Sequence, residues 1–352
     1  MRERRFSAEG GLNRALIVKT SSLGDIIHSF PVVSYLAHKF PECPIDWLVE
    51  EPFAELVESH PLIDRAIKVN TKHWRRSPLS KQTFREFRTF RSSLRENDYD
   101  LIVDLQGNIK SGLLSRAAKG KIRLGFGLKT AAERPNILFT NRRLNPPPGF
   151  NIRDDYLNLV KRYFNDDEPF ADSGIVLNSA ASPQNFIKAG RPNYLVCPGS
   201  RWINKQLPAK TLAEFLVKIQ ESTGCHLLFS WGSEQEKELA QNAAPAGSAI
   251  IPRLSLPELQ NLMAQVDLVI AMDSLPLHLA GTTNTPTYSL FGPSSAQKYR
   301  PIGAHHRSFQ GPCPYNVSFE KRCPKLRSCQ TGACIREVTA GKIFADFKSF
   351  TF

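Results

Sequence analysis

Short apolar runs, separated by polar loops and amphipathic segments, recur along the first half of the chain. The first run occupies residues 15–18, and small polar residues at 19–24 separate it from a segment, opening at Asp25, whose apolar side chains have helical spacing. Further strands are predicted at 45–50, 66–69, 101–105 and 122–127, and helices from Ile109 and over 152–164. Strands that alternate with helices in this way are typical of βαβ units and a parallel sheet.

A second series of the same kind begins near residue 194, beyond a proline-rich break at 145–149 and a joining segment near 165–192. Its predicted strands occupy 194–197, 226–230, 249–251, 268–272 and 287–291. Its predicted helices occupy 212–219, 234–240 and 257–265. The two series predict an α/β protein with two doubly wound domains, and a cleft between two such domains is a common place for a ligand.

These patterns set the expected domain boundaries. Residues 14–170 and 171–335 are predicted to form the two α/β domains, and residues 1–13 a flexible basic tail. Residues 336–352 are predicted to form a helix that returns to the N-terminal domain. The arginine-rich start lacks the apolar region of a signal peptide, so no such peptide is predicted.

Composition narrows the class of protein. The 352 residues are 41% hydrophobic, which is enough for two well-filled cores. No apolar run approaches the ~18 residues that a membrane-spanning helix needs. The formal net charge of +13 predicts an anionic partner, for which nucleic acid, an acidic membrane surface and a phosphorylated glycan all qualify.

Four of the seven cysteines cluster late in the chain, at 313, 323, 329 and 334. Tetrathiolate zinc sites usually contain closely spaced cysteine pairs, and these spacings provide none. We therefore expect reduced or occasionally bridged thiols, as in a cytoplasmic protein, rather than a structural metal site.

Two loops carry candidate chemistry. Asp25 follows the first strand, at the edge of an open α/β sheet where ligands bind, although a helix cap is the alternative role for it. The turn from Asp273 to His278 follows another strand and combines helix N-terminal amides with a serine and a histidine, a combination suited to a diphosphate. Neither the dinucleotide fingerprint nor the phosphate-loop signature is present.

Several motifs, in order, resemble those of the heptosyltransferases of bacterial lipopolysaccharide synthesis, glycosyltransferase family 9. The segment 19–31 (KTSSLGDIIHSFP) resembles the opening motif of that family, and 99–107 (YDLIVDLQG) its second. The remaining matches are Trp231-Gly232 with Glu236, the turn 273–278, and 291–294 (FGPS). The resemblance covers roughly residues 14–340, and an ordered series is far more specific than any single motif.

The resemblance implies a fold and a reaction. The fold would be GT-B, with two Rossmann-like domains: the N-terminal one for the anionic lipopolysaccharide core acceptor and the C-terminal one for ADP-heptose. The reaction would transfer L-glycero-D-manno-heptose with inversion, with no metal and with the nucleotide sugar as the only co-substrate. An inverting displacement needs a base, and the resemblance assigns that role to Asp25.

The resemblance also implies binding residues. For the donor these are Ser200, Arg201, Lys205, Glu236, Asp273, Ser274, Leu275 and His278, where Arg201 is an alternative to Lys205 as the phosphate-binding cation. For the acceptor they are Lys19, Ser22, Gly24, Arg75, Arg76, Gln106 and Arg134. One position departs from the family, because Leu275 stands where many members have glycine, and we expect strain there if the turn requires a positive φ.

The basic stretch from 71 to 95 has two interpretations. Its arginines either bind the phosphate and carboxylate groups of the acceptor or form a solvated face, and Phe84 and Phe87 are predicted to lie in the core. Nucleic-acid binding is the alternative from another class, but no nucleic-acid motif is present, so no nucleic-acid partner is expected. Another nucleotide sugar as donor also remains open. We expect the protein to act at the cytoplasmic face of the inner membrane, drawn there by its positive charge.

Overall fold

The computed structural model describes residues 11–179 and 184–350. The first ten residues of the predicted basic tail lie outside this range. Leu12 is buried, and Asn13 donates two hydrogen bonds of 2.8 Å to the Asp100 carboxylate. The tail prediction is therefore wrong for these two residues, which are part of the N-terminal unit. The described residues divide into two compact units between Asp172 and Ser173.

The N-terminal unit is a six-stranded parallel sheet in the order β3-β2-β1-β4-β5-β6. Its strands are β1 (Ala15–Val18), β2 (Ile45–Glu50), β3 (Arg65–Val69), β4 (Tyr99–Asp104), β5 (Gly120–Phe126) and β6 (Arg142–Leu144). Its helices are α1 (Leu23–His28), α2 (Phe30–Lys39), α3 (Ala54–Glu58), α4 (Thr71–Arg76), α5 (Lys81–Leu94), α6 (Ile109–Ala117) and α7 (Ile152–Tyr163). Short 3-10 turns occupy Glu51–Phe53 and Arg134–Leu138.

The C-terminal unit repeats this arrangement, with the sheet order β12-β11-β10-β7-β8-β9. Its strands are β7 (Asn193–Cys197), β8 (His226–Phe229), β9 (Ala249–Ile250), β10 (Leu268–Met272), β11 (Thr287–Phe291) and β12 (His306–Gln310). Its helices are α8 (Ala209–Thr223), α9 (Glu234–Ala243), α10 (Leu256–Met263), α11 (Leu275–Ala280), α12 (Ala296–Tyr299), α13 (Ala333–Arg336) and α14 (Ala340–Lys348). Short 3-10 turns occupy Gln184–Phe186 and Ile203–Lys205. In both units the first strand lies between the second and the fourth, which confirms the predicted doubly wound α/β class.

The helix predicted to return to the N-terminal domain instead packs on its own unit. Phe347 of α14 is buried, with its ring centroid 6.0 Å from that of Phe215 and 5.1 Å from that of Tyr288. The Tyr288 hydroxyl donates a hydrogen bond of 3.1 Å to the Ile343 carbonyl. The prediction is wrong because the apolar stripe of α14 fills the core beside α8.

The predicted core position of two phenylalanines is also wrong. In α5 only the C-terminal half reaches the core, through Phe90 and Leu94, whereas Phe84 is 70% exposed and Phe87 is 43% exposed. The helix ends at Leu94, and the guanidinium of Arg95 donates to the Ala117 carbonyl at 3.2 Å. No helix in the described part of the chain is long and apolar enough to cross a membrane.

Candidate active site

The loops after β1 and β4 meet at the carboxyl edge of the N-terminal sheet. These strands are neighbours in the sheet, and the chain leaves them in opposite directions, which makes this edge a topological switch point. The Ser21 amide donates to the Gln106 side-chain oxygen at 3.3 Å, and the Lys19 ammonium donates to the Leu105 carbonyl at 3.2 Å. The structure thus brings the opening motif and the second motif together at one edge.

Asp25 lies in the first turn of α1, which begins at Leu23 rather than at Asp25 itself. Its Oδ2 accepts hydrogen bonds from the Ser22 amide at 3.2 Å and from the Ser22 hydroxyl at 2.7 Å. This is a capping interaction, in which the carboxylate satisfies an amide at the helix start. Both hydrogen bonds from described side chains and amides go to Oδ2, so Oδ1 is open. Asp25 therefore caps the helix and still presents an oxygen to a ligand.

Lys19 lies inside the unit, with only 3% of its surface exposed. Its ammonium donates to the Tyr156 hydroxyl at 2.9 Å as well as to the loop after β4. Burial lowers the pKa of Lys19 below its ordinary value, and the nearby carboxylates of Asp25 and Asp104 offset only part of that effect. The contacts of Lys19 are those of a residue that joins the two loops.

Asp104, which the sequence analysis left out of the site, organises the loop that carries Gln106. Its Oδ1 accepts from the amides of Gln106 and Gly107, each at 3.0 Å. Its Oδ2 accepts from the Ser111 hydroxyl at 2.9 Å and the Asn136 amide at 2.7 Å. Burial raises the pKa of Asp104 despite these four donors. An aspartate at a strand end with a glycine three positions later is a turn signal that could have identified it.

The arginines predicted to bind the acceptor lie at the surface. Arg75 and Arg76 end α4, whose first amide, that of Thr71, donates to the Glu50 carboxylate at 3.1 Å. Glu50 ends β2, so α4 starts at the same edge of the sheet as the Asp25 loop. Arg134 is exposed and opens the 3-10 turn fixed by Asp104 through Asn136. No described hydrogen bond or ion pair joins these three arginines to Asp25. Gly24, by contrast, lies in the first turn of α1 beside it.

The loops after β7 and β10 form the equivalent edge of the C-terminal unit. The Lys205 ammonium lies 2.5 Å from Asp273 Oδ2, and the Ser200 hydroxyl donates to the Asp273 carbonyl at 3.3 Å. Arg201, by contrast, is exposed, and its guanidinium lies 6.0 Å from the centre of the Trp202 ring. The structure places Lys205, and not Arg201, against Asp273.

Asp273 is buried beside Lys205 and His278. Burial alone raises the pKa of its carboxyl group, but Lys205, His278 and the Ser294 hydroxyl together outweigh that effect and lower it below the ordinary value. His278 Nε2 lies 3.8 Å from Asp273 Oδ1, on the side opposite Lys205. Asp273 therefore stays ionised, and its negative charge holds the Lys205 ammonium at this edge.

Glu236, in the first turn of α9, lies against the loop after β7. Its Oε2 accepts a hydrogen bond of 2.7 Å from the Gly232 amide. A Cβ atom added at Gly199 would lie 2.4 Å from the Glu236 side chain, closer than real contacts allow. A larger residue at 199 would therefore force the Glu236 carboxylate out of its present position.

The strain expected at Leu275 is absent. Leu275 is the first residue of α11, after the extended Ser274, whose hydroxyl donates to the Met272 carbonyl at 3.2 Å. Among described residues other than glycine, only Asn165 and Asn316 have positive φ. Leucine fits here because helical φ suits any ordinary residue.

The four late cysteines are free thiols of intermediate exposure. Within residues 11–179 and 184–350, no group of three or more histidine, cysteine or acidic side chains is arranged to hold a metal ion. The structure thus gives these cysteines no described metal-binding geometry.

Comparisons with known proteins identify the family. The family model of glycosyltransferase family 9 (heptosyltransferase) matches residues 87–327. Lipopolysaccharide heptosyltransferase 1 of Pseudomonas aeruginosa is 32% identical over 286 residues, which cover 80% of this chain and 79% of that protein.

Solved structures agree with this assignment. The E. coli heptosyltransferase WaaC with ADP matches with a TM-score of 0.79 at 24% identity, over 96% of this chain and 100% of that chain. WaaC with ADP-2-deoxy-2-fluoro heptose matches with a TM-score of 0.77 at 24% identity, over the same shares of the two chains. These matches confirm the predicted GT-B fold. The chain therefore belongs to glycosyltransferase family 9, the heptosyltransferases.

Proposed function

We propose that this enzyme transfers L-glycero-D-manno-heptose from ADP-heptose to the inner core of lipopolysaccharide, with inversion at the anomeric carbon and with Asp25 as general base. The observation that carries the proposal is the position of Asp25, which has an open Oδ1 at the switch-point edge of its sheet. Supporting it, the relative from Pseudomonas aeruginosa is named lipopolysaccharide heptosyltransferase 1, and WaaC was solved with a fluorinated ADP-heptose.

In this reaction the acceptor hydroxyl oxygen attacks the anomeric carbon as the bond from that carbon to the ADP phosphate breaks. The hydroxyl proton passes to Asp25 Oδ1, and ADP leaves with the electron pair of the broken bond. Ser22 holds Oδ2 through two hydrogen bonds, which fixes the direction in which Oδ1 points.

The donor would be held by the edge of the C-terminal unit. Lys205, paired with Asp273, supplies fixed positive charge where the leaving diphosphate gains negative charge, and His278 adds to it when protonated. Ser200, Ser274 and the backbone at Leu275 would contact the same phosphates, Glu236 would accept from the ribose hydroxyls, and the exposed Arg201 would add charge at the rim. Since fixed side-chain cations serve the diphosphate, we propose that no metal is needed and that a chelator leaves the rate unchanged.

The acceptor would be held by the N-terminal unit. Arg75, Arg76 and Arg134 are exposed at or beside the edge that carries Asp25, and guanidinium groups match phosphates and carboxylates with two parallel hydrogen bonds. Gln106, Ser22 and Gly24 would contact the acceptor sugar. The buried Lys19 would bind at the same place and hold the two loops together. The place of action that we propose is the cytoplasmic face of the inner membrane.

The test is the variant Asp25→Asn, assayed by the mass gain of a truncated core acceptor with ADP-heptose. Because the amide cannot take the proton, we expect kcat to fall about 10²–10⁴-fold while KM changes little. Asp98→Asn is the matched control, since its carboxylate is 79% exposed and pairs only loosely with Lys119 at 3.7 Å.

Turnover of Asp25→Asn at the wild-type rate would overturn the base assignment. Faster transfer from another nucleotide sugar than from ADP-heptose would overturn the donor assignment.

A further inference from the structure

Two large apolar side chains stand out from the surface of the N-terminal unit between residues 71 and 94, a segment called here the α4–α5 hairpin. Leu79, in the loop between the helices, is 98% exposed, and Phe84, in the first turns of α5, is 70% exposed. The core contacts of α5 come instead from Phe90 and Leu94. Folding of this unit therefore does not explain the presence of Leu79 and Phe84.

The same hairpin is strongly basic. Its exposed cations are Lys72, Arg75, Arg76, Lys81, Arg85, Arg88 and Arg91. None of these seven forms an ion pair with a described residue. Between residues 75 and 91 the only acidic residue is Glu86, which accepts from Trp74 Nε1 at 3.1 Å and from Gln82 at 2.9 Å. The positive charge of this exposed face is therefore not neutralised by neighbouring acidic side chains, and an external anion can bind there.

The hairpin is held in place rather than free. The ring centroid of Trp74 lies 5.5 Å from that of Phe87 and 5.3 Å from that of Phe90, which fastens α4 to α5. Ser80 caps α5 by accepting from the Thr83 amide at 3.0 Å, and the Thr83 hydroxyl donates to the Ser77 carbonyl at 2.7 Å. Leu79 is therefore presented at a defined position, at no further ordering cost on binding.

The arrangement of charge and apolar surface fits one kind of partner. Phe84 lies four residues before Arg88 and therefore beside it on the helix, and Lys81 and Arg85 follow the same outer face. Apolar groups flanked by cations are typical of elements that lie in the interface of an anionic membrane. A nucleic acid would match the charge, but an aliphatic side chain such as Leu79 offers no stacking surface for a base.

We propose that the α4–α5 hairpin docks on an anionic lipid bilayer. Leu79 and Phe84 enter the interface, while Lys81, Arg85 and Arg88 contact the lipid phosphates. The hairpin starts at the carboxyl end of β3, the same edge of the sheet that carries Asp25, so docking brings that edge to the bilayer. This last consequence, presentation of Asp25 to a lipid-linked acceptor, rests on the proposed function; the docking itself does not.

The experiment is sedimentation of the full chain with phosphatidylcholine vesicles that do or do not contain phosphatidylglycerol, at low and high salt. We expect binding only with the anionic lipid, weakening as salt rises. The double variant Leu79→Glu/Phe84→Glu should bind at least about tenfold more weakly, because two apolar groups are replaced by charges of the wrong sign. The triple variant Lys81→Gln/Arg85→Gln/Arg88→Gln should lose about fivefold per charge.

Matched controls lie on the C-terminal unit. Ile302→Glu changes an apolar side chain that is also exposed, and Lys210→Gln/Lys218→Gln removes two exposed charges from α8. Both should bind vesicles like the wild type. The Leu79→Glu/Phe84→Glu variant should transfer heptose to a soluble, delipidated acceptor at the wild-type rate.

Unchanged vesicle binding by Leu79→Glu/Phe84→Glu would overturn the proposal. So would salt-sensitive binding of single-stranded RNA without vesicle binding, or a dimer that the same variant abolishes, because each assigns the surface to another partner. Vesicle binding by a wild-type protein that transfers no heptose would leave the docking supported and contradict the proposed function instead.

Discussion

β4 and β10 hold the same place in the two sheets, each beside the first strand of its unit, and each leads to a buried aspartate. The two carboxylates differ in the groups that contact them directly. Asp104 accepts from two amides, a hydroxyl and a side-chain amide, and burial raises its pKa. Asp273 has Lys205 and His278 beside it, and its pKa is lowered although it is also buried.

The difference shows how one topology serves two tasks. With neutral donors, a buried carboxylate fixes the backbone of a loop, and Asp104 thereby positions Gln106 next to the opening motif. In direct contact with a cation, a buried carboxylate instead fixes the position of that cation at the sheet edge, as Asp273 does for the Lys205 ammonium. The chemistry at each edge is therefore set by the partner of the aspartate rather than by the aspartate or its strand.

Removing the cation should have the largest effect. Lys205→Met leaves Asp273 buried without its main partner, so we expect the free energy of unfolding to fall by about 3–5 kcal/mol. If Lys205 serves the diphosphate as proposed, loss of its fixed charge should also reduce kcat about 10²–10³-fold. Urea unfolding and the transfer assay measure these effects.

The control for this variant is Lys237→Met. It removes a cation that is 38% exposed and whose ammonium forms a long ion pair, of 3.8 Å, with the Glu234 carboxylate. It should change the free energy of unfolding by less than about 1 kcal/mol. Wild-type activity in Lys205→Met would refute the role assigned to Lys205.

The corresponding change in the other unit should be milder. Asp104→Asn replaces one acceptor oxygen by a donor that faces other donors, so we expect a loss of about 1–3 kcal/mol in the free energy of unfolding. The KM for the acceptor should rise severalfold because the Gln106 loop loosens, whereas the KM for ADP-heptose should not change. A larger effect on the donor KM than on the acceptor KM would contradict the division of tasks.

The smallest effect should appear in the pH dependence of stability. Asp273 has a lowered pKa in the folded state, so its stabilisation is present above the ordinary value of 3.8 and is lost as pH falls below it. Asp104 has a raised pKa, so the cost of its buried charge is relieved as pH falls from neutrality towards 3.8.

Differences in unfolding free energy between wild type and each asparagine variant, measured from pH 7 to 3, separate the two groups. As pH falls, the free energy of unfolding of the wild type should first rise relative to that of Asp104→Asn. At lower pH it should fall relative to that of Asp273→Asn. Each slope is at most about 1.4 kcal/mol per pH unit, since one proton is involved. If the two free-energy differences changed with pH in the same direction, the surroundings of Asp104 and Asp273 would be alike.

The sequence predicted those parts of the fold that depend on residues close together in the chain. Continuous apolar runs located the central strands, because strands buried on both faces of a parallel sheet need no polar positions. It missed β6, whose three residues include two arginines, because an edge strand in a sheet is only partly covered. It also missed the exposure of Phe84, because helical spacing does not tell which half of α5 reaches the core.

Within the candidate site, the motifs pointed to Asp25, Lys205 and Asp273, but not to the residues that contact them. The hydrogen bond from Lys19 to Tyr156 joins residues 137 positions apart, and that from Asn136 to Asp104 joins residues 32 apart. Such pairs depend on how strands are ordered in the sheet, and neither periodicity nor spacing contains that order.

The close packing of Gly199 against Glu236 has a consequence for how this enzyme can change. A side chain at 199 would meet the end of the Glu236 side chain, so Glu236 would have to turn away and give up its hydrogen bond with the Gly232 amide. Gly199→Ala should therefore still fold, because the end of a glutamate side chain is flexible. A single substitution at 199 is thus enough to move this carboxylate without changing residue 236 itself.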